Sequence, residues 1–366
     1  MNITVIGIGR LGLGLSLLIE KSGYNVLGID INKKYVEELN NKTFKTNEPE
    51  YENLLLESRN FNASTDLQKG LDYSDIIFIV VQTPNGGDKN FYDHTILSNL
   101  LCKINTLKPK NKHFIIGCTV IPKYINTIGN LLIEDCKNCS LNYNPEFIAQ
   151  GEIIKGFLHP DIILLGTTND YVKEKMKEIY DKMTLSNPKY CIMKPLESEI
   201  VKIGINGYIT TKLSFCNMIS DLCDNINADK NIVLDSIGSD KRIGNKYFKP
   251  GYSFGGPCFP RDTKALKLLV EHNNINSDLL IATTKYNELH IEFMVEKLLK
   301  DNKDTYIFEN ICYKEDSKIP IIEESAKLKI AEKLFKKGKQ IIIKDEIQLV
   351  NEVKKTYGNI FEYVIV

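Results

Sequence analysis

Apolar residues along this chain alternate between short β-rich runs and longer stretches with a helical period. Residues 2–6 (NITVI) make a brief strand-like run, 7–12 (GIGRLG) a glycine-rich turn, 13–21 a helical repeat, and 24–29 a second strand that ends in Asp30. The alternation continues with a helix at 35–40, a buried strand at 75–81, a helix at 95–104, a strand at 113–117, a helix at 123–133 and a strand at 139–143. A further strand (161–165) and helix (170–183) follow, and together these elements predict a doubly wound parallel α/β sheet. From 196 to about 226 the helical pattern runs on without proline, which predicts one long connecting helix. Gly204 and Gly207 lie within it, and because glycine costs a helix about 1 kcal/mol relative to alanine, they point to close approach of another group. Helices are predicted at 229–237, 262–272 and 277–299, then a smaller α/β unit: strand 306–308, helix 322–336, strand 340–343, helix 347–357 and strand 361–366.

Composition narrows the function classes. The 366 residues exceed the size at which one core stops growing, so two or three domains are expected. Lys plus Arg and Asp plus Glu both number 47, and the pI near 6.9 lacks the basic excess of a nucleic-acid or membrane-surface binder. No apolar run approaches the ~18 residues of a membrane span, and no signal-peptide pattern precedes the first strand, so a cytoplasmic protein is expected. Nine scattered cysteines read as reduced thiols. The Cys136-x-x-Cys139 pair has no second pair or nearby histidine to complete a tetrahedral set, so no metal site is expected.

Candidate chemistry begins at the first turn. In strand–turn–helix–strand context, Gly7 permits the tight turn, Gly9 lets backbone approach a pyrophosphate and Gly12 allows close helix packing. Arg10 and Leu11 lie inside the same turn, and the helix N-terminus offers unbonded N–H groups to an anion. Asp30 is placed to accept a hydrogen bond from a ribose hydroxyl, which favours NAD over NADP in a Rossmann-type N-terminal domain. The strand-end loops 82–85, with Thr83, and 118–122, with Thr119, are candidate cofactor walls. On the long helix, Lys202 and Asn206 are four apart and share a face, with Glu199 a turn earlier. A solvated polar stripe would account for that triplet by itself. Residues 252–264 (YSFGGPCFPRDTK) box Cys258 between glycines and prolines, whereas a core cysteine needs only apolar neighbours.

Taken in order, GIGRLG, Asp30, Glu48-Pro49, VQTPN (81–85), CTVIP (118–122), NPEF (144–147), E-x-x-K-x-x-x-N (199–206), RIGNKY (242–247), GGPCFPRD (255–262) and Tyr313-Lys314 make the chain resemble the nucleotide-sugar dehydrogenases, most closely the UDP-glucose 6-dehydrogenase type. The resemblance implies a four-electron oxidation of a sugar alcohol to an acid with two NAD reduced per sugar. It implies Cys258 as the nucleophile that forms thiohemiacetal and thioester intermediates. Lys202 and Asn206 would stabilise oxyanion character, Asp262 and Thr119 would hold a water, and Glu146 would assist thioester hydrolysis, with Thr119 and Glu146 also lining the cofactor site. Substrate contacts carried over are Phe147, Lys202, Asn206, Arg242, Tyr247, Phe254, Gly255 and Lys314. The implied partners are a UDP-sugar and a second copy of the chain, forming a homodimer around the long helix.

The expected division is an NAD-binding Rossmann domain over residues 1–194, a central helical and dimerisation domain with the cysteine loop over 195–300, and a short Rossmann-like nucleotide-sugar domain over 301–366. Departures from the family pattern are Gln150, Cys118, Arg261 and the acidic pair Glu323-Glu324. They leave GDP-mannose or a UDP-N-acetylhexosamine open as substrate, alongside an NAD-binding regulatory protein without turnover. A two-electron hydroxyacid dehydrogenase would have no use for Cys258.

Overall fold

A computed structural model of the chain describes residues 1–84, 86, 92–148, 151–314 and 319–366; Asn85 and Gln150, singled out above, lie outside the described residues. The chain forms two compact units, Met1–Lys202 and Ile203–Val366.

The first unit is built on an eight-stranded sheet of β1 (Asn2–Ile6), β2 (Asn25–Ile29), β3 (Phe61–Ser64), β4 (Ile76–Ile79), β5 (His113–Ile116), β6 (Ser140–Tyr143), β7 (Ile162–Gly166) and β8 (Lys189–Met193), in the order β3-β2-β1-β4-β5-β6-β7-β8. Its central strands are apolar on both faces because helices cover both. Ile3, Val5 and Phe78 face one core with Leu13, Leu17 and Leu18 of the Arg10–Lys21 helix, whereas Ile6, Ile77 and Ile79 face the other with Leu97 and Leu101 of the Thr95–Leu107 helix. Strand order reverses between β1 and β4, so the loops after β1, β2, β4 and β5 gather where open α/β sheets bind ligands.

Three sequence expectations need correction. The sheet is not wholly parallel, because β7 pairs with β6 in antiparallel sense and β8 follows β7. Strands β3 and β8 escaped the pattern: β3 is four residues alternating FNAS, and β8 is only half-buried, as edge strands are. The helix expected at 123–133 is a wide π-type turn, Ile125–Gly129, followed by the short helix Asn130–Leu132.

In the second unit, the helices Lys230–Ser239, Phe259–His272 and Asp278–Leu299 accompany the continuation of the long Pro195–Ile226 helix. A three-stranded parallel sheet follows, with β10 (Gln340–Asp345) between β9 (Thr305–Phe308) and β11 (Glu362–Ile365). Tyr306, Phe308, Ile341 and Ile343 pack with Leu328 and Leu334, and the same core takes in Ile291 and Val295 of the Asp278–Leu299 helix. The Ala326–Lys336 helix starts four residues later than its apolar pattern suggests, because Ser325 caps it by accepting from the Leu328 N–H. Among the described residues no helix is long and apolar enough to cross a membrane.

Candidate active site

The glycine turn divides by what each glycine meets. Gly7 adopts φ +85°, and a Cβ there would lie 2.6 Å from the Val80 carbonyl oxygen; a Cβ on Gly12 would lie 2.1 Å from the Gly7 carbonyl oxygen. Both positions are therefore imposed by the chain's own packing. A Cβ on Gly9 would meet nothing within 4 Å, so the space over Gly9 is open. Gly9 is also the N-cap of the Arg10–Lys21 helix and makes no side-chain capping bond, which leaves exposed Arg10 and half-buried Leu11 at a helix start that suits a pyrophosphate. Two tyrosines that sequence reasoning missed hold the turn: Tyr35 Oη donates to the Ile8 carbonyl at 2.7 Å and Tyr51 Oη to the Arg10 carbonyl at 2.6 Å. Asp30 follows β2 and braces its own loop by accepting the Asn32 N–H at 3.0 Å. Thr83 is buried in the loop after β4. These residues fit a dinucleotide, with room over Gly9 and an acid at the end of β2.

Four other candidates of the same unit lie around the NPEF segment and the start of the long helix. Lys202 is buried, donates to the Glu146 carbonyl oxygen, and carries its ammonium 4.5 Å from the Phe147 ring centre. Burial pushes the Glu146 carboxyl up to about 7, against the opposing pull of the Tyr180 hydroxyl and the Lys202 charge. Tyr180 Oη lies 2.6 Å from Asn144 Oδ1 and 3.1 Å from Glu146 Oε1, while Asn144 Nδ2 donates to the Leu164 carbonyl at 2.8 Å. Thr119 is half-buried on the loop after β5. That loop runs to Lys123, held at φ +82°, and is anchored by Glu199, whose carboxylate accepts the Lys123 and Ile125 N–H groups. Glu199 is fully buried and is not part of a solvated stripe.

In the second unit Cys258 is exposed and is the N-cap of the Phe259–His272 helix, with Pro260 in the first helical turn. Thiolates are favoured at helix N-termini. The Cys258 carbonyl accepts the Asp262 N–H at 2.8 Å, the first turn of that helix, and the Asp262 side chain is fully buried. There the buried carboxylate accepts from Asn206 Nδ2 at 2.6 Å and from Arg261 Nε at 3.0 Å. Asn206 and Asp262 are thus brought together, while Cys258 stands one helical turn before Asp262 on the same helix. The glycines of the motif are required by the chain itself: a Cβ on Gly255 would lie 2.0 Å from the Glu324 carbonyl oxygen, and one on Gly256, at φ +79°, would lie 2.4 Å from the Tyr313 ring. Phe254 is buried ahead of them.

The RIGNKY segment is held by a lysine that sequence reasoning missed. Lys212 Nζ donates to the carbonyls of Ile243, Gly244 and Lys246 at 2.9, 2.9 and 2.7 Å. Tyr247 is exposed, with its ring edge-on to Phe259 at 6.1 Å, next to the candidate nucleophile. Arg242 is exposed and paired with Asp240 at 2.6 Å. Lys314 is half-buried beside Tyr313. No disulfide joins any of the nine cysteines, and no cluster able to hold a metal occurs among the described residues.

Comparison with known proteins identifies the family. Residues 1–184 match the NAD-binding domain of the UDP-glucose/GDP-mannose dehydrogenase family, and residues 196–289 match its central domain. A UDP-glucose 6-dehydrogenase of Rickettsia bellii (strain RML369-C) is 29% identical over 367 residues, covering 98% of this chain and 84% of the relative. One of Bacillus subtilis (strain 168) is 31% identical over 308 residues, covering 82% and 68%. The fold is that of a UDP-glucose dehydrogenase from Pyrobaculum islandicum, with a TM-score of 0.90 at 24% identity over 100% of this chain and 86% of that one. The chain therefore belongs to the UDP-glucose/GDP-mannose dehydrogenase family of NAD-dependent nucleotide-sugar dehydrogenases, with the family's NAD-binding domain at its N-terminus.

Proposed function

We propose that this chain oxidises C6 of UDP-glucose to the uronate in two successive two-electron steps, and that the exposed Cys258 at a helix N-cap carries the reading. Naming UDP-glucose rests on the relatives of 29–31% identity that bear that activity in their names. NAD would be held by Gly7, Gly9, Arg10, Leu11, Gly12, Asp30 and Thr83 and would accept one hydride, with a second NAD replacing the departed NADH to accept the other.

In the first step the C6 alcohol gives its hydride to NAD and its hydroxyl proton to the water held by Asp262 and Thr119, leaving an aldehyde. The Cys258 thiolate adds to that carbonyl, forming a carbon–sulfur bond and an alkoxide that Lys202 and Asn206 stabilise. Loss of the second hydride from C6 turns this thiohemiacetal into a thioester. Water then attacks the thioester carbonyl, the carbon–sulfur bond breaks, and the thiolate is released with a carboxylate. A carboxyl poised at about 7, as that of Glu146 is, is matched to taking the proton of that water near neutral pH. Asp262 and Thr119 orient a water, Phe147, Phe254 and Gly255 lie against the sugar, and Arg242, Tyr247 and Lys314 contact the nucleotide portion.

In this reading residues 1–194 bind cofactor, 195–300 supply the nucleophile, and 301–366 complete the nucleotide-sugar site. The exposed apolar stripe Phe215, Met218, Leu222 and Ile226 on the long helix is covered by a second copy of the chain. A second reading, the same chemistry on another nucleotide sugar, is favoured by Glu323-Glu324, an acidic pair whose main chain abuts Gly255 and Gly256 of the cysteine loop. NADH formation with saturating NAD and a panel of UDP-glucose, GDP-mannose and UDP-N-acetylmannosamine separates the two. Preference for UDP-glucose supports the first, preference for another sugar the second, and no turnover with any would leave an NAD-binding protein without this activity.

A further inference from the structure

The main chain leading to Cys258 has no regular structure from Gly251 to Gly255, yet side chains of two helices supply its polar groups with partners. His290 Nε2 lies 2.9 Å from the Gly251 carbonyl oxygen, with Nδ1 on Asp221, and Asn217 Nδ2 donates to the Tyr252 carbonyl at 3.3 Å. The fullest match is at Phe254. Its N–H donates to Asn287 Oδ1 at 2.8 Å, and its carbonyl accepts from Asn287 Nδ2 at 3.0 Å. One side-chain amide thus pairs with both main-chain groups of one residue, as a neighbouring strand would. Ser253 Oγ donates to the Asn287 carbonyl at 2.6 Å and, with the His290 and two Asn287 amide bonds, ties the loop to the Asp278–Leu299 helix a fourth time.

Asparagine is a poor choice for a buried helix interior, where it loses propensity and brings two polar atoms that must be satisfied. Asn287 is buried within that helix, and its amide is matched on both atoms. Between Phe254 and Cys258 the remaining freedom is small. Gly255 abuts the Glu324 carbonyl, the Gly256 N–H donates to the Glu323 carbonyl at 3.1 Å, and Pro257 follows with its fixed φ.

We propose that Asn287 is a positioning residue for Cys258: its amide clamps the Phe254 main chain and thereby fixes the short backbone segment that delivers the thiol to the helix N-cap. The proposal rests on the reading of Cys258 as nucleophile, but the clamp is measurable without any substrate.

The test uses the full chain and its Asn287→Leu and Asn287→Asp variants. Each is treated with iodoacetamide at neutral pH, and alkylation of Cys258 is followed by peptide mass spectrometry against Cys102, an exposed thiol of the Thr95–Leu107 helix, as internal standard. Loss of two hydrogen bonds of ordinary strength is expected to slow Cys258 relative to Cys102 by about tenfold in Asn287→Leu. Asn287→Asp keeps an acceptor for the Phe254 N–H but loses the donor to its carbonyl, and should fall between. If Asn287→Leu does not fold, the Asn287→Asp ratio decides. A Cys258 to Cys102 ratio that is unchanged or raised in the folded variants overturns the proposal. Where the wild type turns over a nucleotide sugar, kcat should fall with the alkylation ratio while KM for NAD stays put; a change in KM for NAD alone would assign Asn287 a general structural role. A wild type inactive on every sugar would remove the nucleophile reading, and the alkylation ratio would still judge the clamp.

Discussion

Glu199 and Lys123 lie 76 residues apart, and the buried Glu199 carboxylate accepts the Lys123 N–H at 2.7 Å. Its other oxygen takes the Ile125 N–H at 3.0 Å, so one side chain ties the loop bearing Thr119 to the helix turn that presents Lys202. Lys123 is held at φ +82°, a conformation that a non-glycine residue keeps only when its surroundings enforce it. Glu199→Gln replaces one acceptor with an amide NH₂ that faces an N–H. It is expected to lose about 1–3 kcal/mol of stability in urea denaturation.

The acid–base behaviour of Glu146 has a definite sign. Burial raises its carboxyl from the ordinary value of 4.5 to about 7, so the folded protein holds that proton over a window in which the unfolded chain has released it. The stability contributed by this group is complete below about 4.5 and is lost as pH rises through about 7. Glu146→Gln, which does not titrate, should gain stability relative to wild type between pH 5 and pH 8, as followed by denaturation midpoints at roughly those values. A constant difference across the window would show that Glu146 is not held protonated.

Gly12 and Gly9 of the first turn should respond differently to alanine. Gly12→Ala drives a Cβ to within 2.1 Å of the Gly7 carbonyl oxygen, and such overpacking is expected to cost about 1–3 kcal/mol or more. Gly9→Ala meets nothing in the chain, so its stability should change by less than about 0.5 kcal/mol. Its effect should fall instead on NAD affinity, read by isothermal titration. Equal affinity in wild type and Gly9→Ala would mean that the open space over Gly9 is not where the pyrophosphate approaches.

The buried Asp262 accepts from the buried Asn206 and from the partly buried Arg261. Asp262→Ala leaves the Arg261 guanidinium and the Asn206 amide without that partner, and a loss of about 1–3 kcal/mol is expected from the unmatched buried polar group. Asp262→Asn keeps the shape and should lose less. A fall in kcat for Asp262→Asn well beyond its loss of stability would separate the proposed water-holding role from packing.

What the sequence revealed and what it hid follow from the range of the interactions. The turn from Gly7 to Gly12 and Asp30 at the end of β2 are local patterns, and they were legible as such. The long helix was legible because after Pro195 its period runs on to Ile226 without another proline. Strands β3 and β8 were not, because short edge strands carry little apolar pattern. Nor was the π-type turn at Ile125–Gly129, which looks helical by composition and is shaped by a glutamate far along the chain. The same reason hid Lys212, Asn287, Tyr35 and Tyr51. Each acts by reaching main-chain atoms, and a main-chain carbonyl or N–H leaves no trace in residue identity. Cys258 stood out because its frame of glycines and prolines is written in the sequence; what those glycines accommodate, the Glu324 carbonyl and the Tyr313 ring, is not.

The central claim is a four-electron oxidation passing through a bond to Cys258. It is tested most directly by incubating a limiting, known amount of UDP-glucose with excess NAD and counting NADH formed per sugar consumed. The expected result is two NADH per sugar with the uronate as sole product. One NADH per sugar, with an aldehyde released, would contradict it.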